Sequence, residues 1–196
     1  MALRVAVSGA AGRMGRRTVS LVVAEPDCEL VCACERPDHP DLGKDVGEFC
    51  TCGAVGIPLT DGIGSEPDVI IDFSNAAGTA RAVAMAAEIG IPIVTGTTAL
   101  GAKEKAEIEA AAGRIPVLVT PNFSLGINLL NKLVRDVAQT LGPGYDVEIV
   151  ETHHNQKVDA PSGTALRLGE TAAAALKRDP NSDFRHGRDG QVGPRK

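Results

Sequence analysis

The chain has 196 residues, enough for one large domain or one domain with part of a second. Hydrophobic residues make up 43% of it but aromatics only 3%, with no Trp. The core must therefore come from Val, Ile, Leu and Ala, which suits a parallel sheet covered by helices. A formal net charge of −5 argues against a general nucleic-acid or membrane-surface role, and no apolar run reaches the length of a membrane span.

Met1 to Val7 enters a strand pattern at once and lacks a signal-peptide layout, so a cytoplasmic protein is expected. Arg4 to Ser8 predicts a short apolar strand. Arg13 to Glu25 has helical apolar spacing and stops before Pro26. Between them, Ser8-Gly9-Ala10-Ala11-Gly12-Arg13-Met14-Gly15 places glycines where a tight turn and a close approach to a diphosphate need them. The helix start behind that turn offers free N–H groups and a positive dipole end. Alone, the Gly-x-x-Gly-x-x-Gly spacing equally fits an ordinary strand–helix turn.

Glu29 to Cys34 predicts the second strand. Glu35 ends it, 23 residues after Gly12, where an acid accepts hydrogen bonds from an adenosine ribose. Arg36 follows and suits a ribose 2′-phosphate. Together they suggest tolerance of both NADH and NADPH, although the pair fits a solvated surface equally well. The five cysteines, Cys28, Cys32, Cys34, Cys50 and Cys52, form two Cys-x-Cys pairs. Zinc sites usually space their cysteines more widely, and Cys32 and Cys34 lie in a strand pattern where Cys behaves as a small apolar residue. No metal site and no structural disulfide are expected.

Residues 36–53 read as a long loop. Asp68 to Phe73 predicts a buried strand, followed by an Ala-rich helix to about Glu88. Ile91 to Thr95 predicts a strand, Ala102 to Ala112 a helix, and Ile115 to Val119 another strand. This alternation implies an α/β fold with a Rossmann-like doubly wound parallel sheet. Gly96-Thr97-Thr98 and Thr120-Pro121-Asn122-Phe123 each follow a strand. Ligands of such sheets bind beyond the carboxyl ends of strands, so with the glycine turn these segments outline a dinucleotide crevice.

The pattern changes near Pro121. Ile127 to Leu141 predicts an amphipathic helix ended by Gly142-Pro143-Gly144. Asp146 to Thr152 alternates into a predicted strand that delivers His153 and His154. The stretch Glu151-Thr-His-His-Asn-Gln-Lys-Val-Asp-Ala-Pro-Ser-Gly-Thr-Ala165 then gathers a proton donor, a cation and a helix start. A histidine gives up a proton near neutral pH. Lys157 suits a carboxylate. Pro161 is placed for a helix start, with Ser162, Gly163 and Thr164 offering hydroxyls and N–H groups to an anion. The same residues equally fit a helix cap and a solvated lysine. A shared metal ion is disfavoured, because neighbours on a strand point to opposite faces. Leu166 to Leu176 continues a helix, and the chain turns polar and glycine-rich after Lys177.

Gly9-Ala-Ala-Gly-Arg-Met-Gly15, Asp72-Phe-Ser74, Gly96-Thr-Thr98, Pro121-Asn-Phe-Ser-Leu-Gly-Ile-Asn128 and above all Glu151 to Ala165 closely resemble the 4-hydroxy-tetrahydrodipicolinate (dihydrodipicolinate) reductase family, in order, over nearly the whole chain. The resemblance implies hydride transfer from NADH or NADPH to a small cyclic dicarboxylate in the diaminopimelate route to lysine. It implies a dinucleotide-binding domain over residues 1–123 and a substrate-binding and oligomerisation domain over residues 124–196. By the same resemblance His153 is the proton donor and Lys157 its partner, while His154, Gly163 and Thr164 bind substrate. Gly9, Ala10, Ala11, Gly12, Arg13, Met14, Glu35, Arg36, Gly96, Thr97, Thr98, Thr120, Pro121, Asn122 and Phe123 hold the cofactor. The family is expected to continue past Lys196 with further strands, so the second, α+β domain reads as incomplete. The homotetramer expected of the full-length family rests on those strands. Two rival readings are a dinucleotide-binding fragment without catalysis and a different small-acid dehydrogenase on the same fold.

Overall fold

The computed structural model describes residues 1–64, 67–155, 157, 159–187 and 190–191. The chain divides into two compact units, Met1–Thr120 and Pro121–Lys196.

The first unit is a six-stranded sheet in which every pairing is parallel. Its strands are β1 (Leu3–Ser8), β2 (Cys28–Cys34), β3 (Leu59–Thr60), β4 (Val69–Asp72), β5 (Ile93–Thr95) and β6 (Val117–Val119). Their spatial order is β3-β2-β1-β4-β5-β6, so the winding reverses between β1 and β4. Side chains of alternate strand residues feed two separate cores. Ala6, Cys32, Cys34, Ile70 and Ile93 pack with Ala82, Val83, Ala86, Ile108 and Ala111 of helices α3 (Ala76–Ile89) and α4 (Ala102–Ala112). Val5, Val7, Leu30, Ala33 and Leu59 pack with Val19, Val22 and Val46 of α1 (Arg13–Ala24) and the short α2 (Val46–Phe49). Both faces are thus covered, and β1 is buried without interruption from Val5 to Ser8.

The predicted elements of this unit are all present, most with ends moved by one or two residues. The stretch read as loop holds more order than expected. Asp45 caps α2 through Oδ1, which accepts from Gly47 N–H at 2.8 Å and Val55 N–H at 3.1 Å, while Oδ2 accepts from Gly56 N–H at 2.6 Å. One carboxylate thereby ties down both ends of a loop.

The thiols of Cys32 and Cys34 face the core. Burial pushes the Cys34 thiol up to about 12, with its neighbour Cys32 adding to the effect. All five cysteines are free.

The second unit contains α5 (Leu125–Leu141), a 3-10 turn (Gly142–Gly144), α6 (Gly163–Leu176), α7 (Pro180–Asp183) and a two-residue antiparallel ladder of β7 (Asp159–Ala160) with β8 (Gly190–Gln191). Ser124 opens α5 by accepting from Ile127 N–H at 3.4 Å. Helix α5 packs on α6. The strand expected over Asp146 to Thr152 is not formed: among the described residues no segment pairs with it. Alternation favours an extended backbone, but a strand also needs a partner for its N–H and C=O groups. Pro161 lies just before the N-cap, Ser162, at the start of α6. No helix among the described residues is long and apolar enough to cross a membrane.

Candidate active site

The glycine turn joins β1 to α1. Gly9 has φ +71°, and a Cβ there would lie 2.9 Å from the Phe73 carbonyl oxygen, so glycine is required both by conformation and by space. Gly15 is more constrained still. Its Cβ would fall 1.9 Å from the Gly9 carbonyl oxygen, which seats α1 directly on the turn. Ala10 and Ala11 are buried, with Ala10 N–H donating to the Cys34 carbonyl at 3.1 Å. Gly12, Arg13 and Met14 are exposed. Gly12 is the N-cap of α1, and no side chain caps it. The first N–H groups of a three-turn helix therefore remain available to an anion, beside a backbone kept bare of side chains. That arrangement fits the diphosphate of a dinucleotide.

The neighbouring strand ends are bound together by Asp72, the last residue of β4 and wholly buried. Its Oδ1 accepts from Ser74 Oγ at 2.7 Å. Its Oδ2 accepts from Thr79 Oγ1 at 2.6 Å, Thr95 Oγ1 at 2.8 Å and Thr97 Oγ1 at 3.2 Å. One carboxylate thus sets the start of α3, the end of β5 and the Gly96–Thr98 segment. The Phe73 ring lies against Gly96, where a Cβ would come within 2.1 Å of it. Thr98 is exposed beyond them. Thr120 N–H donates to the Thr95 carbonyl at 3.1 Å, so Thr120 joins the same carboxyl edge. The sequence assigns Asp72 no role, although its Asp-Phe-Ser motif is visible. An aspartate ending an apolar strand, with Thr at three later positions, is the signal that marks such a hub.

Glu35 and Arg36 follow β2, as expected from their spacing. Glu35 N–H donates to the Thr60 carbonyl at 2.9 Å, and its Oε2 accepts from Arg36 N–H at 3.1 Å. The Arg36 Nε pairs with Asp38 Oδ1 at 3.0 Å.

In the second unit, Glu151 organises the histidine stretch. Its Oε2 lies 2.7 Å from His153 Nε2, and its Oε1 accepts from Ser162 N–H at 2.8 Å. Burial raises the Glu151 carboxyl, but hydrogen bonds from Ser162 and then from His153 outweigh that and hold it below the ordinary range. Ser162 Oγ accepts from Ala165 N–H at 3.1 Å and so caps α6. The carboxylate therefore links the imidazole to the helix start that carries Gly163 and Thr164. The sequence assigns Glu151 no role either, although a residue two before His153 shares its face of an extended chain.

Lys157 N–H donates to the His154 carbonyl at 3.2 Å, closing a turn between them. His154 is exposed and Lys157 half-buried. Asn122 Nδ2 donates to Thr164 Oγ1 at 3.2 Å, and Asn122 Oδ1 accepts from Ser124 N–H at 2.8 Å. Asn122 is thereby bound to a residue of the α6 start, while Pro121 and Phe123 beside it are exposed. Gln156 and Val158 lie outside the described residues.

Models of known families match nearly the whole chain. The family model for the N-terminus of dihydrodipicolinate reductase matches residues 3–123, and that for its C-terminus matches residues 126–194. The 4-hydroxy-tetrahydrodipicolinate reductase of an Anaeromyxobacter species is 45% identical over 196 residues, covering 98% of this chain and 72% of the relative. That of Magnetococcus marinus is 44% identical over 199 residues, covering 100% of this chain and 74% of the relative. Among solved structures, the dipicolinate-bound dihydrodipicolinate reductase of Paenisporosarcina sp. TG-14 superposes with a TM-score of 0.69 at 27% identity, covering 98% of this chain and 72% of that one. The chain belongs to the dihydrodipicolinate reductase family.

Proposed function

We propose that this chain reduces 4-hydroxy-tetrahydrodipicolinate to tetrahydrodipicolinate in the diaminopimelate route to lysine, with His153 as the proton donor. The activity is that of the reductases it resembles over nearly its whole length. The bound nicotinamide supplies the hydride. The glycine turn, the α1 N-terminus and the Gly96–Thr98 segment hold the cofactor, with Thr120 to Phe123 completing its contacts. Glu35 accepts from a hydroxyl of the adenosine ribose.

The observation that carries the proton-transfer role is the Glu151–His153 contact of 2.7 Å. A carboxylate at Nε2 fixes the orientation of the ring. With Nε2 committed to Glu151, the proton passed on is the one on Nδ1; hydride and proton together replace the ring hydroxyl, which leaves as water. Lys157 supplies positive charge to one substrate carboxylate, and the first residues of α6, Gly163 and Thr164, offer an N–H group and a hydroxyl to another. His154 completes the substrate contacts. The reducing cytoplasm suits a chain with five free cysteines.

The test is consumption of NADH or NADPH on adding freshly generated substrate, beside cofactor binding followed by nicotinamide fluorescence. Turnover dependent on the substrate is expected. Binding without turnover would favour a non-catalytic dinucleotide-binding chain instead.

A further inference from the structure

Arg81 stands in the second turn of α3 and is half-buried. Its Nη2 donates to the Glu35 carbonyl oxygen at 2.5 Å. The guanidinium is thus drawn from α3 to the end of β2, where the adenosine ribose is expected. A guanidinium has five N–H donors, and this bond uses one. Among the described residues no carboxylate lies within ion-pair distance of Arg81. Asp72, the buried acid between β4 and α3, is already met by four hydroxyls. Holding a partly buried cation without a counter-charge is costly, so the position favours an anion.

The other charges at this strand end are differently engaged. Arg36 is paired with Asp38, and their side chains are 59% and 81% exposed. Such a solvated pair contributes little, and it gives Arg36 its own counter-charge. The Glu35 carboxylate is turned back onto the Arg36 N–H. Among the described residues at the end of β2, Arg81 is thus the cation held by a backbone carbonyl and paired with no carboxylate.

We infer that Arg81 is a specificity residue of the cofactor site, meeting the ribose 2′-phosphate and giving this chain a preference for NADPH over NADH. The inference rests on the reading that residues 1–120 bind a nicotinamide dinucleotide with its adenosine ribose at the end of β2. A planar guanidinium bonds two phosphate oxygens at once. Against NADH it meets only a ribose hydroxyl, which gains far less from a positive charge.

The experiment measures NADPH and NADH affinities of the full chain by nicotinamide fluorescence, with 2′-AMP and 5′-AMP as competitors. The chain is compared with Arg81→Gln, Arg81→Lys and Arg36→Gln. Wild-type chain is expected to bind NADPH the more tightly and to prefer 2′-AMP. Arg81→Gln should weaken NADPH about tenfold or more while changing NADH by less than about threefold. Arg81→Lys should recover part of the selectivity. Equal loss of both dinucleotides would make Arg81 a structural brace and overturn the inference, as would no loss of either. An NADPH-specific loss confined to Arg36→Gln would assign the phosphate to Arg36 and overturn it too. If wild-type chain binds neither dinucleotide, the underlying reading of the first unit fails along with it. Binding of both with equal affinity leaves that reading standing and overturns only the preference.

Discussion

Thr79 Oγ1 donates to Asp72 Oδ2 at 2.6 Å, with both residues wholly out of solvent. The bond ties the first turn of α3 to the last residue of β4, and Thr95 and Thr97 share the same oxygen. Removing the carboxylate strands several buried hydroxyls at once. Asp72→Ala is therefore expected to cost about 3 kcal/mol or more, and Asp72→Asn, which keeps one acceptor oxygen, about 1–2 kcal/mol. Urea denaturation measures both. Cofactor affinity should fall in step, because the Gly96–Thr98 segment loses its anchor. An unchanged midpoint in Asp72→Ala would count against the hub.

His153→Gln should lower turnover by about two to four orders of magnitude while NADH affinity stays within about twofold. Steady-state kinetics with parallel fluorescence titration separates the two. Equal loss of turnover and binding would remove His153 from proton transfer. Glu151→Gln keeps the shape but not the charge facing Nε2, and turnover should fall about tenfold or more.

Acid should loosen both units through identifiable carboxylates. Asp45 is held below the ordinary range chiefly by the Val55 N–H, with Gly47 and Gly56 helping against partial burial. Glu151 is lowered as well. A group whose folded pKa is depressed contributes stability that is present above its unfolded value and lost as pH falls through the folded one. Unfolding temperature should therefore hold down to about pH 5 and decline below about pH 4. In Asp45→Asn and Glu151→Gln that decline should be shallower. Variants that track wild type throughout the acid range would deny these two groups their part.

Two glycines should separate steric from chemical need. Gly15→Ala puts a methyl 1.9 Å from the Gly9 carbonyl oxygen, so α1 must shift off the turn. Stability should drop by about 1–3 kcal/mol, and dinucleotide binding about tenfold or more. At Gly163 an added Cβ meets nothing within 4 Å. Gly163→Ala should leave unfolding and NADH affinity unchanged and raise the substrate KM, because it narrows the approach to the α6 start. Thermal unfolding and substrate titration of the two variants decide this.

Much of the first unit was legible because each element carries its own local signal. Apolar runs such as Val69 to Asp72 and helices with stop signals such as Gly90 declare themselves over a few residues. The two-residue strands β3 and β7 were not legible. Two residues have no periodicity, and they become strands only because a partner is in register. The segment Asp146 to Thr152 is the converse: alternation is present and, among the described residues, a partner is not. In the site, histidines and glycines stood out by their chemistry. Asp72 and Glu151 did not, because their importance lies in what converges on them from elsewhere in the chain.

By itself the sequence determined the parallel α/β core, the glycine turn and the positions of the polar segments, since these follow from residue periodicity, glycine spacing and strand ends. Only the tertiary structure decided which charges are engaged. It brought Oδ2 of Asp72 to hydroxyls from 7, 23 and 25 residues away. It turned Arg81 onto the carbonyl of Glu35, 46 residues earlier, and divided one Glu151 carboxylate between His153 and Ser162. Hydrogen bonds act over about 3 Å, and folding alone brings such distant residues within that reach.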